Sequence, residues 1–250
     1  MDIKEYSILA EKNWNDWIKK DDIFVFAVRD NIDEFILHGK EEAAIFLEPS
    51  KAHVIKPSGN SDAWPGSFKD CQSVESLLKT FLKKDVSECT MLEFGCGGGR
   101  LSVPFSKRFK LVYGYDISSE AIIIANKMAK NQDAENVVFY SGRNIFDPPN
   151  VLSENSIDFI FTYIVFQHIS NNDTIKATIV DFSKALVIDG IGRVHVRTIK
   201  EDYSEDNCFN GVGLSVDEYI DLLESNGLDV LEIADDGNGE AHFITFRRIR

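Results

Sequence analysis

The chain is 250 residues long, 44% hydrophobic, 11% aromatic and 27% charged, which excludes collagen-like, low-complexity and disordered chains. Its 27 basic against 41 acidic side chains give a formal net charge of −14 and a pI of about 4.8. Such a field repels phosphate backbones and anionic membranes, so nucleic acid and membrane surfaces are disfavoured as partners.

At this length one large α/β domain with a small extension is a better expectation than two equal domains. Four cysteines, Cys71, Cys89, Cys96 and Cys208, form no CxxC pair and have no histidine at ligand spacing. Neither a zinc site nor a disulfide framework is expected, and free thiols fit a reducing compartment. The start, Met1 to Glu5, lacks a basic region followed by an apolar one, and no run approaches the roughly 18 apolar residues of a spanning helix. A cytoplasmic protein is the expectation.

In chain order, Ile3, Tyr6, Ala10, Trp14 and Trp17 fall at helical spacing and predict an amphipathic helix. A strand-like run, Ile23 to Val28, precedes a helix-compatible stretch from Ile32 to Leu47. A loop rich in Pro, Ser and Gly then runs from Pro49 to Ser67. That loop separates an N-terminal helical extension, residues 1–70, from a domain over 71–250, which opens on a short helix from Val74 to Leu82. Strand-like runs follow at Met91–Phe94, Leu111–Tyr115, Val137–Tyr140, Ile157–Thr162, Ile191–Val196, Leu228–Ala234 and Ala241–Arg247. Helical patterns lie between them at Arg100–Phe109, Ser119–Asn131, Asp173–Leu186 and Ser215–Asn226, the last opening with a Ser215…Glu218 capping box. The alternation predicts an α/β, doubly wound, Rossmann-like fold. Its sheet is seven-stranded and mostly parallel, with an antiparallel last strand reached through a hairpin at Asp235 to Gly239.

The most informative segment is Met91-Leu92-Glu93-Phe94-Gly95-Cys96-Gly97-Gly98-Gly99-Arg100, an apolar strand entering a glycine-rich turn and then a helix. Glycines suit a tight turn that lets a ligand approach main-chain amides. A dinucleotide fingerprint would need glycine where Arg100 stands, and a P-loop would need a lysine that is absent. Glu93-x-Gly95-x-Gly97-x-Gly99 instead resembles the first motif of class I S-adenosylmethionine-dependent methyltransferases. The second motif is matched by Asp116 in Tyr115-Asp116-Ile117-Ser118, 21 positions after Gly95.

The resemblance implies S-adenosyl-L-methionine as cofactor, with Glu93 and the turn at Gly95, Cys96 and Gly97 around its methionine part. It places Asp116 and Ile117 at the ribose, where an acceptor-only carboxylate can take two hydroxyl donors at once. At the third motif the chain departs from the family, reading Ser141-Gly142-Arg143-Asn144, so that either Asn144 or Arg143 meets the adenine. Arg100 and Tyr163 complete the expected cofactor-binding set. Tyr163 and His168, in the segment after the fourth strand, border the acceptor. His168 either removes a proton as general base or orients substrate through a hydrogen bond.

Phe166 and Gln167 stand where a quinone-methylating relative carries acidic metal ligands, so no metal is expected. Cys96 suits the turn by its size, and His195 on the fifth strand faces either a helix layer or the site, with core or surface packing the expectation. Trp14 to Val28 followed by Phe35-Ile36-Leu37-His38-Gly39 looks like the lid region of a bacterial subgroup associated with sugar and natural-product methylation. Trp14, Trp17, Phe24 and Phe26 would either close over the cofactor or dock the extension. The expected partner is a small-molecule methyl acceptor bearing a hydroxyl or amine, recognised by the extension and by Ile199 to Gly213. The alternatives are a protein or RNA methyltransferase and a non-catalytic cofactor-binding scaffold or sensor. Oligomeric state is not encoded in any readable pattern.

Overall fold

The structure is a computed structural model that describes residues 1–20, 32–49, 71–198, 211, 213–235 and 241–250. The run at Ile23–Val28 with Phe24 and Phe26, most of the Pro/Ser/Gly loop, the segment from Ile199 and the turn before β7 lie outside the described residues.

Two helices come first, α1 (Ile3–Lys20) and α2 (Ile32–Leu47), followed by α3 (Val74–Phe81). The alternating part is β1 (Thr90–Phe94), α4 (Ser102–Phe105), β2 (Leu111–Asp116), α5 (Ser119–Asn131), β3 (Val137–Ser141), β4 (Ile157–Thr162), α6 (Asn172–Ala185) and β5 (Leu186–Arg197). It closes with α7 (Val216–Ser225), β6 (Leu228–Asp235) and β7 (Ala241–Arg248). The seven strands run in the order β3-β2-β1-β4-β5-β7-β6. The pairings from β3 through β5 are parallel, and β7 is antiparallel to both β5 and β6. All seven predicted strands are present, and the last one is antiparallel as expected.

Two predicted boundaries are corrected. The helix expected over Arg100–Phe109 is regular only from Ser102 to Phe105. Beyond it the ladder tightens to three-residue bonds, Lys107 N–H to the Pro104 carbonyl (3.2 Å) and Arg108 N–H to the Phe105 carbonyl (2.8 Å). The second correction is at the start of the fifth strand, predicted at Ile191, since β5 already begins at Leu186. Pairing jumps from Ile157↔Leu186 to Phe159↔Ile191, and Asp189 at φ +65° takes up the extra residues as an irregularity of the ladder.

Central β4 is buried at every position because helices cover both faces. On one face Ile160 packs with Phe166, Ile175 and Phe182 of the α6 side and with Tyr6 and Ala10 of α1. On the other, Phe159 and Phe161 pack with Ile45 and Phe46 of α2 and Leu77 and Leu78 of α3. The extension thus contributes one helix to each core. Helix starts follow their caps: Ser118 and Asn171 accept from the backbone of Ala121 and Thr174, and the Ser215–Glu218 capping box forms as expected. Among the described residues no helix is long and apolar enough to cross a membrane.

Candidate active site

β1 delivers its chain into the glycine turn at the carboxyl edge of the sheet, where open α/β sheets receive ligands. Gly95, Gly97 and Gly99 have φ of +76°, +51° and +81°, which side chains other than glycine rarely adopt. A Cβ on Gly95 would also fall 2.2 Å from Val165, whereas one on Gly97 would meet nothing within 4 Å. Gly97 therefore faces open space. The Gly95 and Cys96 amides donate to the Tyr115 carbonyl at 2.8 and 2.9 Å, fastening the turn to the end of β2.

This fastening brings the two motif carboxylates together. Asp116 Oδ2 accepts from Gly97 N–H and Oδ1 from Ser118 N–H, each at 2.9 Å. A carboxylate offers roughly four lone-pair sites, so acceptor capacity remains for a ligand. Burial raises the Asp116 pKa, and the amides of Ser118, Gly97 and Ile117 oppose that rise. Glu93 is buried and accepts from the Ser102 hydroxyl. Burial pushes its pKa up to about 8, with the Ser102 hydrogen bond opposing and the Asp116 charge adding to it.

Turn and carboxylates form one wall of a cavity of about 640 Å³. Every residue expected in the site lines it: Glu93, Gly95, Cys96, Gly97, Arg100, Asp116, Ile117, Arg143, Asn144, Tyr163 and His168. Their side chains are not all turned to the same use. The Cys96 thiol is buried, and burial holds it well above its ordinary pKa, which disfavours the thiolate. Asn144 is exposed, and its Oδ1 accepts from Phe146 N–H (2.9 Å) in a local turn. Arg143 is exposed on the same loop. The Arg100 guanidinium reaches back to α2, where it pairs with Glu42 and donates to His38 Nδ1 (3.2 Å).

Tyr163 touches the cavity while its ring packs among Phe46 (4.8 Å), His195 (5.2 Å) and Phe243 (5.9 Å). His195 does pack within the strand layer, and burial lowers its pKa to about 4. His168 closes a 3-10 turn, half-buried, with the Trp14 indole edge-on at 5.3 Å and Gln167 Nε2 3.3 Å from its Nε2. Ahead of it Ile164 sits at φ +58°, an outlier for a β-branched residue and a mark of backbone held under strain at the mouth of β4.

α1 walls the cavity with Ile3, Tyr6, Ser7, Ala10, Trp14 and Ile18. It is pinned at both ends. The Tyr6 hydroxyl accepts from Ser170 N–H (2.9 Å), and Asn15 Oδ1 accepts from the Ser118 hydroxyl (2.7 Å) and from Glu120 N–H (3.3 Å). Sequence spacing marked this helix as amphipathic without showing which surface it covers. Thr174, Thr178 and Asp181 of α6 also line the cavity, and no motif marks them. Among the described residues no group of three or more His, Cys, Asp or Glu side chains could hold a metal ion.

A family model described as a methyltransferase domain matches residues 85–209. No curated protein matches the sequence. Solved structures do. A SAM-dependent methyltransferase from Aquifex aeolicus is similar at TM-score 0.53 and 18% identity over 84% of this chain and 98% of that one. The YcgJ protein of Bacillus subtilis matches at TM-score 0.54 and 17% identity over 70% and 99%. A geranyl diphosphate C-methyltransferase from Streptomyces coelicolor, solved with Mg2+, geranyl diphosphate and S-adenosyl-L-homocysteine, matches at 0.54 and 15% over 70% and 77%.

Proposed function

The chain belongs to the methyltransferase-domain family, and from that premise we propose that it binds S-adenosyl-L-methionine and transfers the methyl group to a hydroxyl or amine of a small molecule. The observation that carries this reading is the meeting of the open Gly97 turn with the Asp116 carboxylate on one cavity wall. The donor set fits the cofactor. Glycine-turn amides and Glu93 suit an amino-acid end, Asp116 has acceptor capacity for ribose hydroxyls, and Ile117 offers an apolar contact. Arg143 and Asn144 flank the adenine in this reading. Since Asn144 Oδ1 already accepts from Phe146, either its second lone pair or Arg143 meets the base.

The cofactor supplies an electrophilic methyl on a sulfonium. The chain's own residues hold the acceptor in line with it, an effect that can supply about 7–11 kcal/mol of the barrier. His168 would take the proton that the acceptor's hydroxyl or amine gives up on methylation, adding roughly 10²–10⁴-fold. Trp14 against His168 excludes water from that step. Within the extension α1 acts as the cover, and 71–250 acts as the cofactor domain of a cytoplasmic enzyme. A small acceptor is favoured over a protein or RNA because α1 spans the cavity and the net charge of −14 opposes phosphate backbones.

Calorimetric titration with S-adenosylmethionine and S-adenosylhomocysteine tests the reading. Micromolar binding is expected, weakened at least tenfold by Asp116→Ala and retained by His168→Ala, which instead slows turnover about 10²-fold. A folded wild-type protein that binds neither compound overturns it. Retained binding with no turnover of any acceptor class would instead support a sensor or scaffold.

A further inference from the structure

We propose that the hollow between α2, α4 and the end of α5 is a second ligand site, built for a small amphipathic anion, a medium-chain alkyl carboxylate. It is separate from the cofactor cavity, and the proposal stands independently of the cofactor reading above.

The hollow follows from the spacing of residues on three helices. Ile36, Lys40, Ala43, Ala44 and Leu47 fall at i, i+4, i+7, i+8 and i+11, on one face of α2. That face meets Val103 and Pro104 of α4 and Met128 of α5. Gly39 lets α2 come close, since a Cβ on it would lie 2.1 Å from the Arg100 carbonyl oxygen. One turn further on, the side chains of Ala43 and Ala44 are too short to fill the space before Val103 and Met128, and a cavity of about 230 Å³ is left. Gly99 and Arg100 form its wall toward the glycine turn, and among the described residues only Arg100 lines both cavities.

The floor of the hollow is apolar and its rim is basic. Among the described residues that line it, Lys40, Arg100, Lys107 and Arg108 are basic and none is acidic. In a chain of net charge −14 that is a local reversal of sign. Glu42 answers Arg100 and Glu75 answers Arg108. Lys107 Nζ donates to the carbonyls of Gln132 (3.2 Å) and Asp133 (3.1 Å) at the end of α5, which hold it in place and leave its charge unneutralised. Lys40 is exposed, one turn before the alanines. Surface lysines ordinarily lay their stems over apolar surface and keep their heads in water. Lys107 is committed to the α5 carbonyls instead, and the hollow beside it stays open. An alkyl chain gains by burial against Ile36, Leu47, Val103 and Met128, while a carboxylate at its head meets the two lysines. The volume lies below the roughly 300–1,000 Å³ of a drug-sized site, so a nucleotide or a peptide helix is too large for it.

Calorimetric titration with octanoate, alone and with saturating S-adenosylhomocysteine, tests the proposal. Octanoate is expected to bind in both conditions, and hexanoate, two methylenes shorter, about tenfold more weakly. Octylammonium, the same chain with the opposite charge, is expected to bind at least tenfold more weakly than octanoate. Ala44→Leu fills the hollow and is expected to abolish octanoate binding while S-adenosylhomocysteine binds as before. Lys40→Glu reverses one rim charge at an exposed position, so it can be read even if Ala44→Leu fails to fold, and is expected to weaken octanoate about tenfold. Octanoate that S-adenosylhomocysteine displaces would lie in the larger cavity, and the proposal would be overturned. Equal binding of octylammonium, binding untouched by either variant, or no binding of octanoate would overturn it as well. A wild-type protein that binds no S-adenosylhomocysteine would end the cofactor reading alone, because the two variants still decide where octanoate sits.

Discussion

Glu93 is a carboxylic acid that the fold keeps protonated at neutral pH. Its pKa stands at about 8 through burial, against an ordinary value of 4.5. Between those values the native state holds a proton that the unfolded state has released, so stability falls as pH rises through the window, by up to about 1.4 kcal/mol per pH unit. Thermal midpoints measured from pH 5 to pH 8 are expected to fall more steeply for the wild type than for Glu93→Gln. Equal slopes would place the titration elsewhere. Glu93, the glycines and Asp116 were legible in the sequence because strand, turn and next strand end fix their spacing locally. His38 and Glu42 were not, since His38 meets Arg100 across 62 residues, Glu42 lies one turn further on the same helix, and no local pattern encodes either meeting. For Asn144 the sequence showed an acceptor, and a local turn to Phe146 claimed one of its lone pairs.

Elements were legible where periodicity is strong and less so where the chain changes direction. The seven strands alternate with helices in the order the apolar runs predict. Pro104 and the positive φ of Gly99 and Asp189 moved the boundaries at α4 and β5, because conformations of that kind depend on single residues and not on a period. α1 has a consequence for kinetics. Held at Ser170 through Tyr6 and at Ser118 and Glu120 through Asn15, it walls the cavity, and a helix acting as a cover would lift one end for ligand to exchange. Asn15→Ala removes the second fastening and is expected to cost about 1 kcal/mol of stability while raising the release rate of S-adenosylhomocysteine several-fold. Stopped-flow dissociation reads this directly. An unchanged rate beside the same loss of stability would make α1 a wall and not a cover.

At the scale of the whole molecule, the N-terminal helices and the sheet share buried groups that tie their stabilities together. Arg193 stands in the middle of β5 with no solvent exposure. Its guanidinium donates to the Phe46 carbonyl in α2 (3.3 Å), to the Gln72 carbonyl before α3 (2.7 Å), to Thr245 Oγ1 of β7 (2.9 Å) and to Glu232 of β6 (3.3 Å). No strand period predicts a charge there, because a position inside an apolar run is read as apolar whatever lies across from it. Replacing Arg193 by Leu takes its donor from two carbonyls and the Thr245 hydroxyl and leaves Glu232, still held by Gln72 N–H and the Thr245 hydroxyl, without its cation, a loss of about 3–5 kcal/mol. For a chain of this size that corresponds to roughly 10 °C in thermal midpoint. If the extension folds as part of the same core, calorimetry is expected to show one transition moved down as a whole. Two transitions, with only the smaller one displaced, would instead mean that residues 1–70 melt from a sheet that stands without them, and the Arg193 bridge would then secure the cover and not the fold.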